Sequence, residues 1–217
     1  MAQVPSPPTH LFFFCEVPPV EGGETPILVS SEIYKRLKVK NPSFLESLEK
    51  HGVKYVRYMP EHDDPTSAIG RGWRSTFLTD SKEGAEAALA KLGSTWEWQA
   101  DNSLKTTTAV LPAIRDDAGS GRSNEKTFFN SMVAAFTGWN DSRNVGERAV
   151  VLGDGKDTVC DPQGIRDTIE IMDEIEVVIP WRAGDLMLLD NRTVMHSRRP
   201  FSGPRRILAS LVRDSDR

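Results

Sequence analysis

Apolar and polar positions alternate along this chain in short blocks, and the blocks predict many brief strands with a few helices between them. Leu11–Val17 (LFFFCEV) is strongly β-prone, and Pro18-Pro19 and Gly22-Gly23 then force a loop. Thr25–Val29 leads into Ser31–Leu37, where Ile33 and Leu37 have helical i,i+4 spacing. A second helix is expected at Pro42–Lys50, with Phe44, Leu45 and Leu48 inward, and a strand at Val53–Met59. Pro60–Arg74 reads as a loop. Asp80-x-x-Glu83 resembles a capping box opening a helix that ends near Leu92, with Gly93 as its stop and Ala85, Ala88, Leu89 and Leu92 as its apolar face.

Farther on, strands are expected at Ser94–Trp98, Leu104–Leu111 and Thr127–Asn130, with a polar loop at Arg115–Glu125. Asp161-Pro162 forms an N-cap and N1 pair for a helix with Ile165, Ile169 and Met172 on one face. Ile175–Pro180, Asp185–Leu189 and Arg205–Val212 close the chain as strands. The pattern is mainly β with peripheral helices, an α+β composition around a sandwich or barrel core.

Composition narrows the class. A chain of 217 residues with 38% apolar content is one globular domain or a little more. No apolar run approaches the ~18 residues of a membrane span, so no membrane partner is expected. The first residues lack the basic and apolar regions of a secretory signal. Two cysteines, Cys15 and Cys160, suit a reducing, cytoplasmic compartment. Cys15 lies in an apolar strand and reads as an inert buried thiol. The net charge of -4 argues against nucleic acid. Locally, Arg192, Arg198, Arg199, Arg205 and Arg206 favour a small anionic ligand such as a carboxylate.

The densest chemistry lies in AGDLMLLDNRTVMHSRRPFSGPRRILASL, Ala183–Leu211. One strand delivers His196 near another that delivers an arginine. That suits a metal ligand beside a carboxylate clamp, since imidazole binds transition metals and guanidinium grips carboxylates bidentately. The same residues in a solvated turn are the plain alternative. Strand alternation places Arg206, Leu208 and Ser210 on one face and Arg205 and Ile207 on the other, so only one arginine of the pair can face a site. A hydrolase using Ser197 with His196 is disfavoured, because adjacent strand residues point apart and no G-x-S-x-G elbow is present.

WRAGD (Trp181–Asp185), Asp190-Asn191-Arg192, His196 and Pro204-Arg205-Arg206 together resemble the C-terminal half of the taurine dioxygenase (TauD/TfdA-type) family. FFFCEVPPVEGGETPI (Phe12–Ile27) is similar to that family's 2-oxoglutarate strand and loop. GRGWRSTF (Gly70–Phe77) and FFNSMVAAFTGW (Phe128–Trp139) resemble its plant clavaminate-synthase-like branch. The resemblance implies a double-stranded β-helix (jelly roll) with Fe(II) as cofactor and 2-oxoglutarate as cosubstrate. It also implies molecular oxygen and a small-molecule substrate, which is oxidised as 2-oxoglutarate is decarboxylated to succinate. By the same resemblance His196 is the distal metal-ligand histidine, Thr25 hydrogen-bonds the far carboxylate of 2-oxoglutarate, and Arg206 binds it. The position that holds a sulfonate in taurine-cleaving members is Ser210 here, so a sulfonate substrate is not expected.

The family's H-x-[D/E] motif supplies the other two metal ligands. Counting back from Thr25 by the family spacing puts its carboxylate just before Met1. The expectation is therefore a single dioxygenase domain over residues 1–217, incomplete at its N-terminus; the alternative is a non-catalytic relative used for binding. His62-Asp63-Asp64 also reads H-x-D, but its acidic, proline-terminated setting reads as a solvated loop.

Overall fold

The computed structural model describes residues 3–67, 69–116 and 125–213. Its first elements are β1 (His10–Val17), β2 (Glu21–Gly22), β3 (Thr25–Val29), α1 (Ser30–Lys40), α2 (Pro42–His51) and β4 (Val53–Met59). Then come α3 (Trp73–Phe77), α4 (Lys82–Lys91), β5 (Thr95–Trp98), β6 (Leu104–Thr107), β7 (Ile114–Asp116), β8 (Lys126–Phe128) and α5 (Met132–Gly138). A single 3-10 turn at Gly146–Arg148 precedes β9 (Val150–Leu152) and α6 (Pro162–Ile175). The chain closes with β10 (Val177–Ile179), β11 (Leu186–Asp190), β12 (Val194–His196), β13 (Phe201–Ser202) and β14 (Arg206–Val212).

Two antiparallel three-stranded sheets, β11-β1-β14 and β10-β3-β12, form the jelly-roll part. They face each other: the Phe13 ring on β1 lies 5.3 Å from the His196 ring on β12, tilted by 57°. Beside them α1, α2, α5 and α6 enclose the largest core, which includes Ile33, Leu37, Phe44, Tyr55, Phe128 and Ile165. A smaller core of Met59, Trp73, Ala85, Leu89 and Leu104 sits between α3, α4 and the four-stranded sheet β5-β6-β4-β9. Among the described residues no helix is long and apolar enough to cross a membrane.

Most expected elements are present, and the differences have local causes. Ser81, not Asp80, caps α4: its hydroxyl accepts from the Gly84 N–H at 3.1 Å. Gly93 ends that helix at φ +66, as expected. Asp161 caps α6 through its carboxylate, but the fully buried face is Ile165, Thr168 and Ile171; Ile169 and Met172 are half-buried. Thr168 can occupy that face because its hydroxyl bonds the Gly164 carbonyl one turn back at 2.8 Å. α6 also runs to Ile175, leaving only Val177–Ile179 for β10. Cys15 is fully buried, and burial pushes its thiol pKa up. The expected loop at Arg115–Glu125 lies largely outside the described residues.

The sheet β11-β1-β14 is apolar on both faces. Leu11, Phe13 and Cys15 point inward, with Leu189, Met187, Ile207 and Ala209 as cross-strand partners. On the outer face Phe14 pairs with Leu186 and Leu208, and Phe12 with Leu188. Phe14, Leu186, Leu188 and Leu208 are 41%, 67%, 56% and 44% exposed.

Gly164 in α6 is a packing requirement. A Cβ there would stand 2.3 Å from Cγ of the Phe44 ring. Glycine costs a helix about 1 kcal/mol relative to alanine, whereas overpacking costs about 1–3 kcal/mol. Gly164→Ala is therefore expected to lower the urea midpoint, and in a Phe44→Leu background the same change should become neutral or stabilising.

Candidate functional site

Residues from both ends of the chain meet between the two small sheets. Phe13 and Thr25 come from β1 and β3; His196 ends β12; Arg205, Ile207 and Ala209 come from the start of β14 and the residue before it. Together with Ser197 and Arg198 they line a pocket of about 330 Å³. None of these lining residues is acidic.

Thr25 is almost wholly buried, and its Oγ1 accepts a hydrogen bond from Nε1 of Trp181 at 2.9 Å. The indole can only donate, so it occupies an acceptor site of the hydroxyl. Among the described residues no acceptor takes the Thr25 proton, which leaves the hydroxyl as a donor for a ligand. His196 packs on Phe13, and burial pushes its imidazole pKa down to about 4. A neutral imidazole is the form that can ligate a metal.

Of the Arg205-Arg206 pair, Arg205 is the one on this face. Its stem crosses Gly23, where a Cβ would come within 3.1 Å of Arg205 Cδ, and its Nε donates to the Gly23 carbonyl at 3.2 Å. Gly23 also has φ +71, so a side chain is disfavoured there on both counts. Burial, and then the charge of Arg198, push the Arg205 pKa down. The expectation that Arg206 faces the site is corrected: its Nε pairs with Glu16 at 2.7 Å on the outer face, and its side chain is 66% exposed. The alternation of β14 is as read from the sequence, but its phase is opposite. Phe13 pairs with Ala209 and Cys15 with Ile207, so the odd-numbered residues face inward, and a bulge at Glu16 sets Arg206 opposite Val17.

The H-x-D at His62–Asp64 is a structural loop. The His62 side chain is 77% exposed. Asp64 accepts from Arg143 Nη2 at 2.9 Å and from the Thr66 hydroxyl and N–H. Asp63 accepts from the Gly72 N–H at 2.8 Å. The FFNS stretch is likewise structural in its polar contacts: Asn130 donates to the Ala113 carbonyl and accepts from the Met132 N–H, opening α5. A cavity of about 90 Å³ separates this turn from Asn191 and His196. Asn191 is buried and donates to the Pro8 carbonyl at 2.8 Å, a turn-shaping role.

Three features suit a carboxylate: a guanidinium, a hydroxyl with a free proton, and no competing acid. Iron is a different matter. Among the described residues no group of three His, Cys, Asp or Glu side chains converges, so these residues do not by themselves fit an Fe(II) centre. The sequence gives Trp181 only as part of the WRAGD motif and Arg198 only as one of five arginines favouring an anion; neither is singled out there as a site residue.

The depressed His196 pKa has a defined stability signature. Below its unfolded value of 6.5 the unfolded chain takes up a proton here that the folded chain refuses until about pH 4. Its contribution to stability is thus complete above about pH 6.5 and is lost as the pH falls toward about 4. Urea midpoints at pH 7 and pH 4.5 should fall less in His196→Gln than in the parent; an equal fall in both would show that the imidazole is not shielded from protonation.

Comparison with known proteins finds similarity along nearly the whole chain. Residues 1–212 match the family model described as taurine catabolism dioxygenase TauD, TfdA family. The clavaminate synthase-like protein At3g21360 of Arabidopsis thaliana is 50% identical over 213 residues, covering 98% of this chain and 63% of that protein. The dapdiamide synthesis protein DdaC of Enterobacter agglomerans is 25% identical over 218 residues, with 94% and 61% covered. The chain thus spans less than two thirds of the length of these relatives. A crystal structure of AAD-2 in complex with Mn(II) and N-oxalylglycine shares the fold, at a TM-score of 0.54 and 16% identity over 98% of this chain and 66% of that one. With nearly every residue matched by the family model and half of them shared with the Arabidopsis protein, the chain belongs to the TauD/TfdA dioxygenase family.

Proposed function

We propose that this chain carries the 2-oxoglutarate-binding part of an Fe(II)/2-oxoglutarate-dependent dioxygenase that oxidises a small molecule. The observation that carries this reading is the convergence of Thr25, His196 and Arg205 on one pocket free of acidic side chains. The far carboxylate of 2-oxoglutarate accepts from the Arg205 guanidinium and the Thr25 hydroxyl. Trp181 holds that hydroxyl with its proton available. The keto-acid end then extends toward His196. In this reading Phe13 and Ile207 shield the ligand's methylenes from water. N-oxalylglycine, the dicarboxylate bound in the AAD-2 structure, has the same spacing of charged ends as 2-oxoglutarate.

No iron-dependent step is assigned to these residues, since His196 is their one candidate ligand. Loss of an outer partner of a metal ligand already costs about 10–100-fold in affinity or activity. The 217-residue chain under Fe(II), ascorbate and air is therefore expected to form little succinate while still binding the dicarboxylate. Succinate formation at rates typical of a dioxygenase would mean that ligands other than those named hold the iron.

Calorimetric titration with 2-oxoglutarate tests the pocket directly. Arg205→Ala should weaken binding at least ~10-fold, because a partly desolvated charge-assisted contact is lost. Arg206→Ala should change it less than about twofold, because an exposed ion pair contributes little. The reverse order would place Arg206 in the pocket and overturn the inward phase of β14.

A further inference from the structure

Resting on the 2-oxoglutarate reading, we infer that Arg198 is a second guanidinium of the same carboxylate site, so that the dicarboxylate's far end is held by Thr25, Arg198 and Arg205 together. β12 pairs with β3 in the register His196 to Ile27. The pairing continues beyond the strand: Ser197 N–H donates to the Pro26 carbonyl at 3.0 Å and Arg199 N–H to the Glu24 carbonyl at 3.1 Å. That register sets Arg198 directly opposite Thr25. Directly opposed residues of an antiparallel pair share a face, with Cβ atoms about 4.5–5.5 Å apart. Arg198 therefore emerges on the side where the Thr25 hydroxyl lies, and it lines the same pocket.

Phe201 gathers the two guanidiniums. The Arg198 Cζ lies 5.2 Å from its ring centroid and the Arg205 Cζ 5.5 Å. Both cations thus use one aromatic ring, and their mutual repulsion is felt at Arg205. Elsewhere in this segment each arginine has an acid: Arg192 pairs with Asp190, Arg199 with Glu176 and Arg206 with Glu16. Among the described residues Arg198 and Arg205 have no carboxylate partner. Two neighbouring cations held on a ring, facing a pocket without an acid, form a site for an anion from outside the chain. A carboxylate has two oxygens, each able to accept more than one hydrogen bond, so it can take both guanidiniums and the hydroxyl.

The test is 2-oxoglutarate binding to the full chain in metal-free buffer, read as ligand-induced thermal shift across a concentration series and fitted to a dissociation constant. Arg198→Gln should weaken binding ~3–10-fold, less than Arg205→Gln, because Arg198 is the more exposed of the two. Arg198→Lys should recover most of the loss, which a purely packing role for the side chain would not predict. Ligand-free melting of all three variants separates folding defects from binding. If Arg198→Gln binds like the parent while Arg205→Gln does not, this inference falls and the cosubstrate reading stands. If the parent shows no response, or if neither substitution changes it, both fall together.

Discussion

The pocket and the two sheets that frame it depend on β1 being paired on both sides by strands from the far end of the chain. Leu11 lies opposite Leu189 on one flank and Leu211 on the other. Closing so long a loop costs entropy that rises only slowly with length, but contacts so distant in sequence form late. The pocket inherits this constraint. Phe13 and Thr25 are contributed by the first strands, and His196, Arg198 and Arg205 by the last. The binding site is therefore a product of chain closure, whereas the helical core of Ile33, Leu37, Phe44 and Leu48 is assembled largely from neighbours in sequence.

Much of the architecture could be read from residue order alone. Phe44, Leu45 and Leu48 are the residues α2 buries, and β3, β4 and β11 fall close to their apolar runs. Those segments have strong local signals. Residues 132–138 do not: the helix α5 begins from an Asn130 turn and is stabilised by burying Met132 and Ala135 against the larger core, so tertiary packing decides it. The short helix Trp73–Phe77 was hidden in a Gly-rich loop for a similar reason, since Trp73 is held by the smaller core.

The choice between Arg205 and Arg206 shows where residue order stops being informative. Alternation separates the two arginines correctly, yet it cannot say which set faces inward. The phase is fixed across the ladder, by burial of Leu11 and Cys15 and by the packing of Phe13 on His196, which turn Ile207 and Ala209 inward. The pairing of Phe13 with Ala209 and of Cys15 with Ile207 thus decides which of two distant arginines faces the pocket with Thr25. Arg198 is one of five candidate arginines in the sequence, and its place beside Thr25 follows only from hydrogen bonds beyond the end of β12, past the residues that the strand itself includes.

The outer face of β11-β1-β14, with Phe14, Leu186, Leu188 and Leu208 in water, bears on how this polypeptide behaves in bulk. Contiguous exposed apolar area of this kind is uncommon on soluble monomers. Two molecules can withdraw it from solvent by covering one another, and among the described residues β14 pairs only with β1, so its other edge offers further hydrogen bonds to a neighbour. The fold of the described residues leaves that surface in place, so their folding does not abolish the drive to cluster. Colloidal solubility of this chain is then a matter of concentration as much as of conformational stability, and a well-folded sample can still precipitate.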